Sequence, residues 1–326
     1  MKILLFSLLS LIFISQASAD LTVYSDRPTH LTDPITDAFE AATGNKVIVK
    51  SLQHKEIKAA FESGDTAADV IFVKDMIYLN DLSKSNYLQS LDSSTLSQVP
   101  SYAQGQAGQY AAVALRVRTI VYDPSFVTPA QLSTYEELAS SKWAGQLCLR
   151  TSQSSYNQAL VSFLVSKHGT EKTTSILQGW VNNLALDPLA KDTQVIDAIA
   201  NGQCLVGLVN SYYLAEKLAA NPSLPVQIFF ANQASGGTHM NGLGAGVTKF
   251  SKNASIAQQY VAFLLTPQMQ NLISNNSSHY PALNGMASPV KSLLDWGSYT
   301  ASLTAWSSMH DHVSTAKSIM TSVGYK

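Results

Sequence analysis

From Leu21 to Val73 the chain switches repeatedly between the hydrophobic period of a strand and that of a helix, and this alternation leaves few architectures open. Leu21-Thr22-Val23-Tyr24-Ser25 alternates as a half-buried strand does. Ile35, Ala38, Phe39 and Ala42 then recur at helical spacing, with Asp33-Pro34 reading as an N-cap followed by a first-turn proline and Gly44 as the stop. Residues 46–50 form the next strand, Ile57, Ala60 and Phe61 mark a second amphipathic helix closed by Ser63-Gly64, and residues 68–73 make a strand apolar enough to be buried on both faces. A β-α-β-α-β order predicts an α/β fold built on a parallel sheet covered by helices. Such sheets bind ligands beyond the carboxyl ends of their strands, so residues 25–30 and 73–76 are the first candidate site loops.

The second half repeats the style. Residues 146–149 read as a strand, a Ser/Thr-rich turn follows, and a helix is expected over 156–167. A short helix over 193–200, a strand over 204–209, a helix over 211–220 and a strand over 226–230 come next. A chain of 326 residues exceeds what one core usually organises, so two lobes are expected. No Pro-rich tether separates them, so crossing strands must join them.

The amino terminus sets the compartment. Lys2 precedes an apolar stretch over residues 3–14, and Ala17-Ser18-Ala19 before Asp20 is the small-residue pattern of a signal-peptidase site. The stretch is too short to span a bilayer, which takes about 20 apolar residues, so it reads as an export signal cleaved after Ala19. No cysteine follows it, which argues against a lipoprotein. Apart from Lys2 the leader carries no charge, so the 21 basic and 22 acidic residues of the chain stay near balance after cleavage. That balance gives no general attraction for nucleic acid or anionic lipid. Cys148 and Cys204 are the only cysteines. In an oxidising compartment the reading is a disulfide; a metal-thiolate or redox pair is the alternative, without a Cys-x-x-Cys to support it.

Enzyme signatures are poor: no Gly-x-Ser-x-Gly, no His-Glu-x-x-His and no P-loop. Gly242-Leu243-Gly244-Ala245-Gly246 lacks dinucleotide-binding spacing and reads as a close backbone approach. His310-Asp311-His312 reads as a solvated helix face. More telling is Tyr212-Tyr213, placed where a buried strand turns into a helix, which is a site position in an α/β lobe.

Val209-Asn210-Ser211-Tyr212-Tyr213-Leu214 resembles the Asn-x-Tyr-Tyr segment of the periplasmic ferric iron-binding proteins, the solute-binding partners of ABC importers. Further segments agree in order across nearly the whole exported chain: Val23-Tyr24-Ser25-Asp26-Arg27, Ala68-Asp69-Val70 with Asp75, Arg116-Val117-Arg118 with Val121-Tyr122-Asp123, Cys148-Leu149-Arg150 through Tyr156-Asn157-Gln158, Gly237-Thr238-His239-Met240-Asn241 with Gly244-Ala245-Gly246-Val247, and Tyr280-Pro281. The resemblance implies the two-lobed periplasmic binding protein fold with a hinge between the lobes, and a monomer that delivers Fe(III) to an inner-membrane ABC permease. Tyr156, Tyr212 and Tyr213 stand where one branch of the family places its iron-binding tyrosines. Ferric iron favours anionic oxygen, a bound cation stabilises a phenolate, and three phenolates cancel a triple charge.

Departures from the family pattern fall on the first lobe. Pro28 and Thr29 replace the usual His and Tyr of the opening loop, and His30 is displaced. Lys74 lies where one branch has a glutamate ligand, and Glu216 where an arginine often follows the tyrosine pair. Water, His30 or a small anion such as carbonate is left to complete the metal's shell. Arg116 or Arg118 either holds that anion or serves as a structural arginine of the crossing strand. The lobes are expected at residues 20–118 plus 232–280 and at 119–231 plus 281–326, closing over the ligand. The competing reading is another solute on the same fold, such as thiamine, a polyamine or an organic anion.

Overall fold

The computed structural model describes residues 20–326; the export signal read over residues 1–19 lies outside the described residues. Strand β1 (Leu21–Ser25) leads into helix α1 (Thr29–Thr43), β2 (Val47–Ser51), α2 (His54–Glu62), β3 (Val70–Val73) and α3 (Met76–Lys84). β1 lies between β2 and β3 and runs parallel to both, as the alternation predicts. Gly44 ends α1 in the left-handed conformation at φ 75°, which costs a residue without Cβ nothing. The start of α1 differs from the expectation. The helix begins at Thr29, after Pro28 in extended geometry, and Pro34 lies inside it rather than at its first position. Pro34 has no N–H for the carbonyl four residues back, yet burial of Ile35 and Phe39 holds the helix through that gap. Phe39 is fully buried, edge-on to Tyr260 and Phe263, a contact set that stabilises the lobe by about 2–3 kcal/mol.

A short helix α4 (Ser93–Leu96) precedes β4 (Ala111–Tyr122), which is buried along its whole length. The second half then supplies β5 (Leu147–Cys148), α5 (Ser155–Asn182), α6 (Asp192–Ala200), β6 (Val206–Asn210), α7 (Ser211–Ala220) and β7 (Gln227–Phe229). β8 (Met240–Val247), α8 (Ala254–Leu264), α9 (Pro267–Ser277), β9 (Tyr280–Pro281), α10 (Lys291–Asp295), α11 (Trp306–Asp311) and α12 (Val313–Ser322) complete the chain. α5 outruns its predicted end at residue 167 because the break at Gly169, φ 77°, is followed at once by a second helical stretch.

β4 is the crossing strand. Its first part, to Val117, pairs with β8, which pairs in turn with β3; from Arg118 it pairs with β6 and then with β7. One sheet path thus runs β2-β1-β3-β8-β4-β6-β5, with the switch of partners between Val117 and Arg118. Helices α1, α3, α8 and α9 pack around the first part of the path, α6, α7 and α10 around the second, α12 on α5, and α11 against both α3 and α5. Gly242 and Gly244 bear out the reading of a close approach: a Cβ at Gly242 would strike the Ala114 carbonyl, and one at Gly244 would strike Met76 and Leu79. Among the described residues no helix is long and apolar enough to cross a membrane.

Cys148 and Cys204 are bonded, with Cα atoms 6.0 Å apart, inside a separate apolar cluster with Val195, Ile199 and Val209. The bond closes a separation of 56 residues. Replacing both cysteines by serine should lower stability by up to about 4 kcal/mol, measured as the shift in the urea midpoint. An unchanged midpoint would show that the cross-link adds nothing to the packing around it.

Candidate metal centre

β6 is buried throughout, and at Ser211 the chain turns directly into α7, so Tyr212 and Tyr213 occupy the first helical turn at the carboxyl edge of the sheet. α5 starts in the same way after the Ser/Thr-rich turn, with Tyr156 as its second residue. Both helices point their positive ends toward this edge, which favours negative charge there. Neither has a side-chain cap on its amide groups.

Behind the tyrosines, Arg118 ties the two helix starts together. Its Nε donates to Asn157 Oδ1 at 2.8 Å, Nη1 to Asp192 Oδ2 at 2.9 Å and Asn210 Oδ1 at 3.3 Å, and Nη2 to Asp192 Oδ1 at 3.2 Å and the Leu208 carbonyl at 3.0 Å. Asp192 also accepts the Asn210 N–H at 3.0 Å, and Asn157 Nδ2 reaches the carbonyls of Arg150 and Thr151. All the N–H groups of this guanidinium are engaged, so Arg118 is a strut and has no donor left for an anion. Arg116 differs. It donates to the Lys74 carbonyl at 2.7 Å, lies 3.4 Å from Asp75, and sits over the Tyr156 ring at 5.0 Å.

Tyr156, Tyr212, Tyr213, His30 and Arg116 line one cavity of 230 Å³. The two loops singled out by topology reach it as well, through Arg27, Pro28 and Lys74. His30, in the first turn of α1, is exposed. Lys74 pairs with buried Asp26 at 3.5 Å, and Glu216 lines the same space from α7.

Two residues here were not singled out in the sequence. Arg27 is buried, its Nε has no partner, and burial lowers its pKa to about 10, so it stays charged at neutral pH. It ends the Val-Tyr-Ser-x-Arg segment, and its position just past β1 was the available signal. His279 stacks on Tyr212 with ring centroids 4.6 Å apart and places Nδ1 2.6 Å from the Ser277 carbonyl. Burial, with Arg116 and Arg27 adding to it, pushes its pKa well below the usual histidine range, so it is a neutral ring. It arrives from the far end of α9, and no local pattern announces it.

The rings of Tyr212 and Tyr213 meet at a tilt of 39°, centroids 4.2 Å apart. Burial, then the neighbouring phenols, raises the pKa of Tyr212 well above 10; burial and Tyr156 raise that of Tyr213. Tyr212 and Tyr213 are therefore neutral phenols at neutral pH that only a strong cation would ionise. Among the described residues no group of three or more His, Cys, Asp or Glu is placed to hold a metal. His310 and Asp311 are spent on ion pairs with Asp81 and Lys84.

An α/β molecule in which β4 passes from one part of the sheet to the other, beside a cavity lined by both, is the architecture of a solute-binding protein. The bacterial extracellular solute-binding protein family matches residues 25–271. Iron uptake protein A1 of Synechocystis sp. is 32% identical over 317 residues, covering 94% of this chain and 88% of that protein. The major ferric iron-binding protein of Neisseria meningitidis is 27% identical over 274 residues, 81% of each chain. Among solved structures, Trichodesmium IdiA (FutA) with iron and citrate aligns at TM-score 0.87 and 32% identity over 94% of this chain and all of that one (100%). The Bordetella ferric binding protein aligns at TM-score 0.84 and 27% identity, over 94% and 99%. The chain belongs to the bacterial extracellular solute-binding protein family, in the branch of the iron uptake and ferric iron-binding proteins.

Proposed function

We propose that this protein is the periplasmic component of an ABC importer and carries ferric iron between its lobes on the phenolate oxygens of Tyr156, Tyr212 and Tyr213. The observation that carries the reading is the convergence of these three residues, all from first helical turns, on one cavity. Three phenolates balance the ion's charge, Lys74 is already paired with Asp26 and Arg116 with Asp75, and Arg27 and Glu216 add one charge of each sign to the lining. The filled cleft then buries little net charge. A cationic solute such as thiamine or a polyamine finds one lining carboxylate, Glu216, and phenols that stay neutral unless a strong cation ionises them, which favours the ferric reading. Titration of iron-free protein with ferric citrate, followed by visible absorption, tests the assignment. A phenolate-to-iron band that saturates at one ion per chain is expected, and its absence would overturn it.

In this reading residues 20–118 plus 232–280 move against residues 119–231 plus 281–326, bending where β4 changes partners at Val117 and Arg118. The mature chain begins at Asp20, acts as a monomer and docks on an inner-membrane permease; the intact mass of the exported protein checks the cleavage. Arg27, with its free Nε, and Arg116 are the groups suited to hold a small anion such as carbonate beside the metal.

His30 is not required. It is exposed, and Pro28-Thr29 have replaced the ligand pair that would stand beside it. His30→Ala should change iron affinity by less than about threefold at neutral pH and matched carbonate. A loss of roughly tenfold or more, the scale on which metal shells respond to missing partners, would make His30 a fourth protein ligand.

A further inference from the structure

The space between the lobes has a second compartment. Asp75, paired with Arg116, borders a larger cavity of 620 Å³, and the two cavities share no lining residue. This cavity is walled by α2 and α3 on one side and by the start of α5, α11 and α12 on the other. Its volume is in the range of small-molecule sites.

The charges in it are unevenly committed. Asp75 is taken by Arg116, the Asn241 side chain at 2.8 Å and the Ile77 N–H at 3.0 Å. Asp81 accepts Lys58 at 2.8 and 2.9 Å and faces His310 at 3.5 Å. Both carboxylates are thus neutralised in place. Lys55 on α2 and Lys317 on α12 line the same cavity and have no carboxylate partner among the described residues. They stand on opposite walls. Between them the floor is apolar: Tyr78 carries the His54 ring flat on it, centroids 3.6 Å apart and planes 3° apart, beside Ile77, Val313 and Met320.

We propose that this compartment binds an organic anion carrying two or more carboxylates, which Lys55 and Lys317 hold from opposite walls while its hydrocarbon lies on the His54–Tyr78 stack. A single inorganic ion would engage one wall and leave the apolar floor unused, whereas a polycarboxylate spans both and links the lobes. The site needs no metal, because none of its lining residues belongs to the tyrosine cavity. It acts as an additional tie between the lobes for any substrate delivered with an excess of free polycarboxylate.

Calorimetric titration of iron-free protein with tricarballylate tests this, since that tricarboxylate lacks the hydroxyl that makes hydroxy acids strong iron chelators. Saturable binding of one molecule per chain is expected. It should weaken by about tenfold or more in Lys55→Gln/Lys317→Gln, which removes two charge-assisted contacts, at an unchanged melting temperature. Tyr212→Phe/Tyr213→Phe should bind tricarballylate as wild type does, so this result stands or falls apart from the iron assignment. Absence of saturation, equal binding by the lysine variant, loss in the tyrosine variant, or displacement by equimolar inorganic phosphate would each overturn the proposal.

Discussion

Phenylalanine at positions 156, 212 and 213 together is expected to abolish the visible ferric band and to leave no iron bound against millimolar citrate. The tyrosines are the anionic oxygen donors of the cavity apart from Glu216, and removing one leaves the ion with charge the protein no longer offsets. Loss of one partner from a buried charge pair costs about 3–5 kcal/mol, so each single variant should lose on the order of 100-fold or more in affinity. The fold should not follow. The Tyr212 hydroxyl accepts a long contact from Asn210 Nδ2 at 3.5 Å and meets the Tyr213 side chain, and the ring contacts with Tyr213 and His279 survive its removal. The iron-free variants should therefore melt within about 1 kcal/mol of wild type. Retention of colour and affinity in the triple variant would rule out this site.

Acidification should release the iron steeply. In the empty protein burial and neighbouring phenols hold Tyr212 and Tyr213 above the ordinary tyrosine pKa, so both are protonated at neutral pH. Iron binds the deprotonated form, so binding expels protons and affinity must rise with pH. Each proton released contributes about a tenfold change per pH unit, and three phenols set a ceiling of roughly a thousandfold. The charged groups around the pair are Arg27, Arg116 and Arg150, which favour the phenolates, and Asp192, which opposes them; Lys74 and Glu216 line the same cavity with opposite signs, and His279 stays neutral. None of these reverses the sign. Direct measurement of protons released on adding ferric iron, paired with affinities at pH 6 and pH 7, checks the slope, and a pH-independent affinity would refute tyrosinate binding.

The local patterns of this sequence carried much of the architecture. Alternation in Leu21–Ser25 and helical spacing of Ile35, Ala38, Phe39 and Ala42 are properties of single elements, and single elements largely bury their apolar faces as the period dictates. Helix limits were less legible. Asp33-Pro34 has the chemistry of a helix start, but the structure continues α1 back to Thr29 because packing outweighs one missing hydrogen bond. That shift puts His30 in the first turn of α1 and at the cavity.

Among the site residues, the Tyr212-Tyr213 pair was visible because a buried strand followed by a helix marks a sheet edge within a few residues. Tyr156 was reached only through the family resemblance. Which arginine of Arg116-Val117-Arg118 faces the cavity could not be read from the strand, since residues two apart point to the same side and look alike in the sequence. The structure separated them: Asn157, Asp192, Asn210 and Leu208, brought together from three later segments, take every donor of Arg118, while Arg116 is left at the cavity. The sequence by itself determined the α/β alternation, the lone cysteine pair and the tyrosines at a strand-to-helix turn, because short-range periodicity and chain chemistry govern those features. Only the tertiary structure decided that Arg27 and His279 share one cavity with them and that a separate basic compartment lies beyond Asp75, because those neighbours are set by packing between segments far apart in the chain.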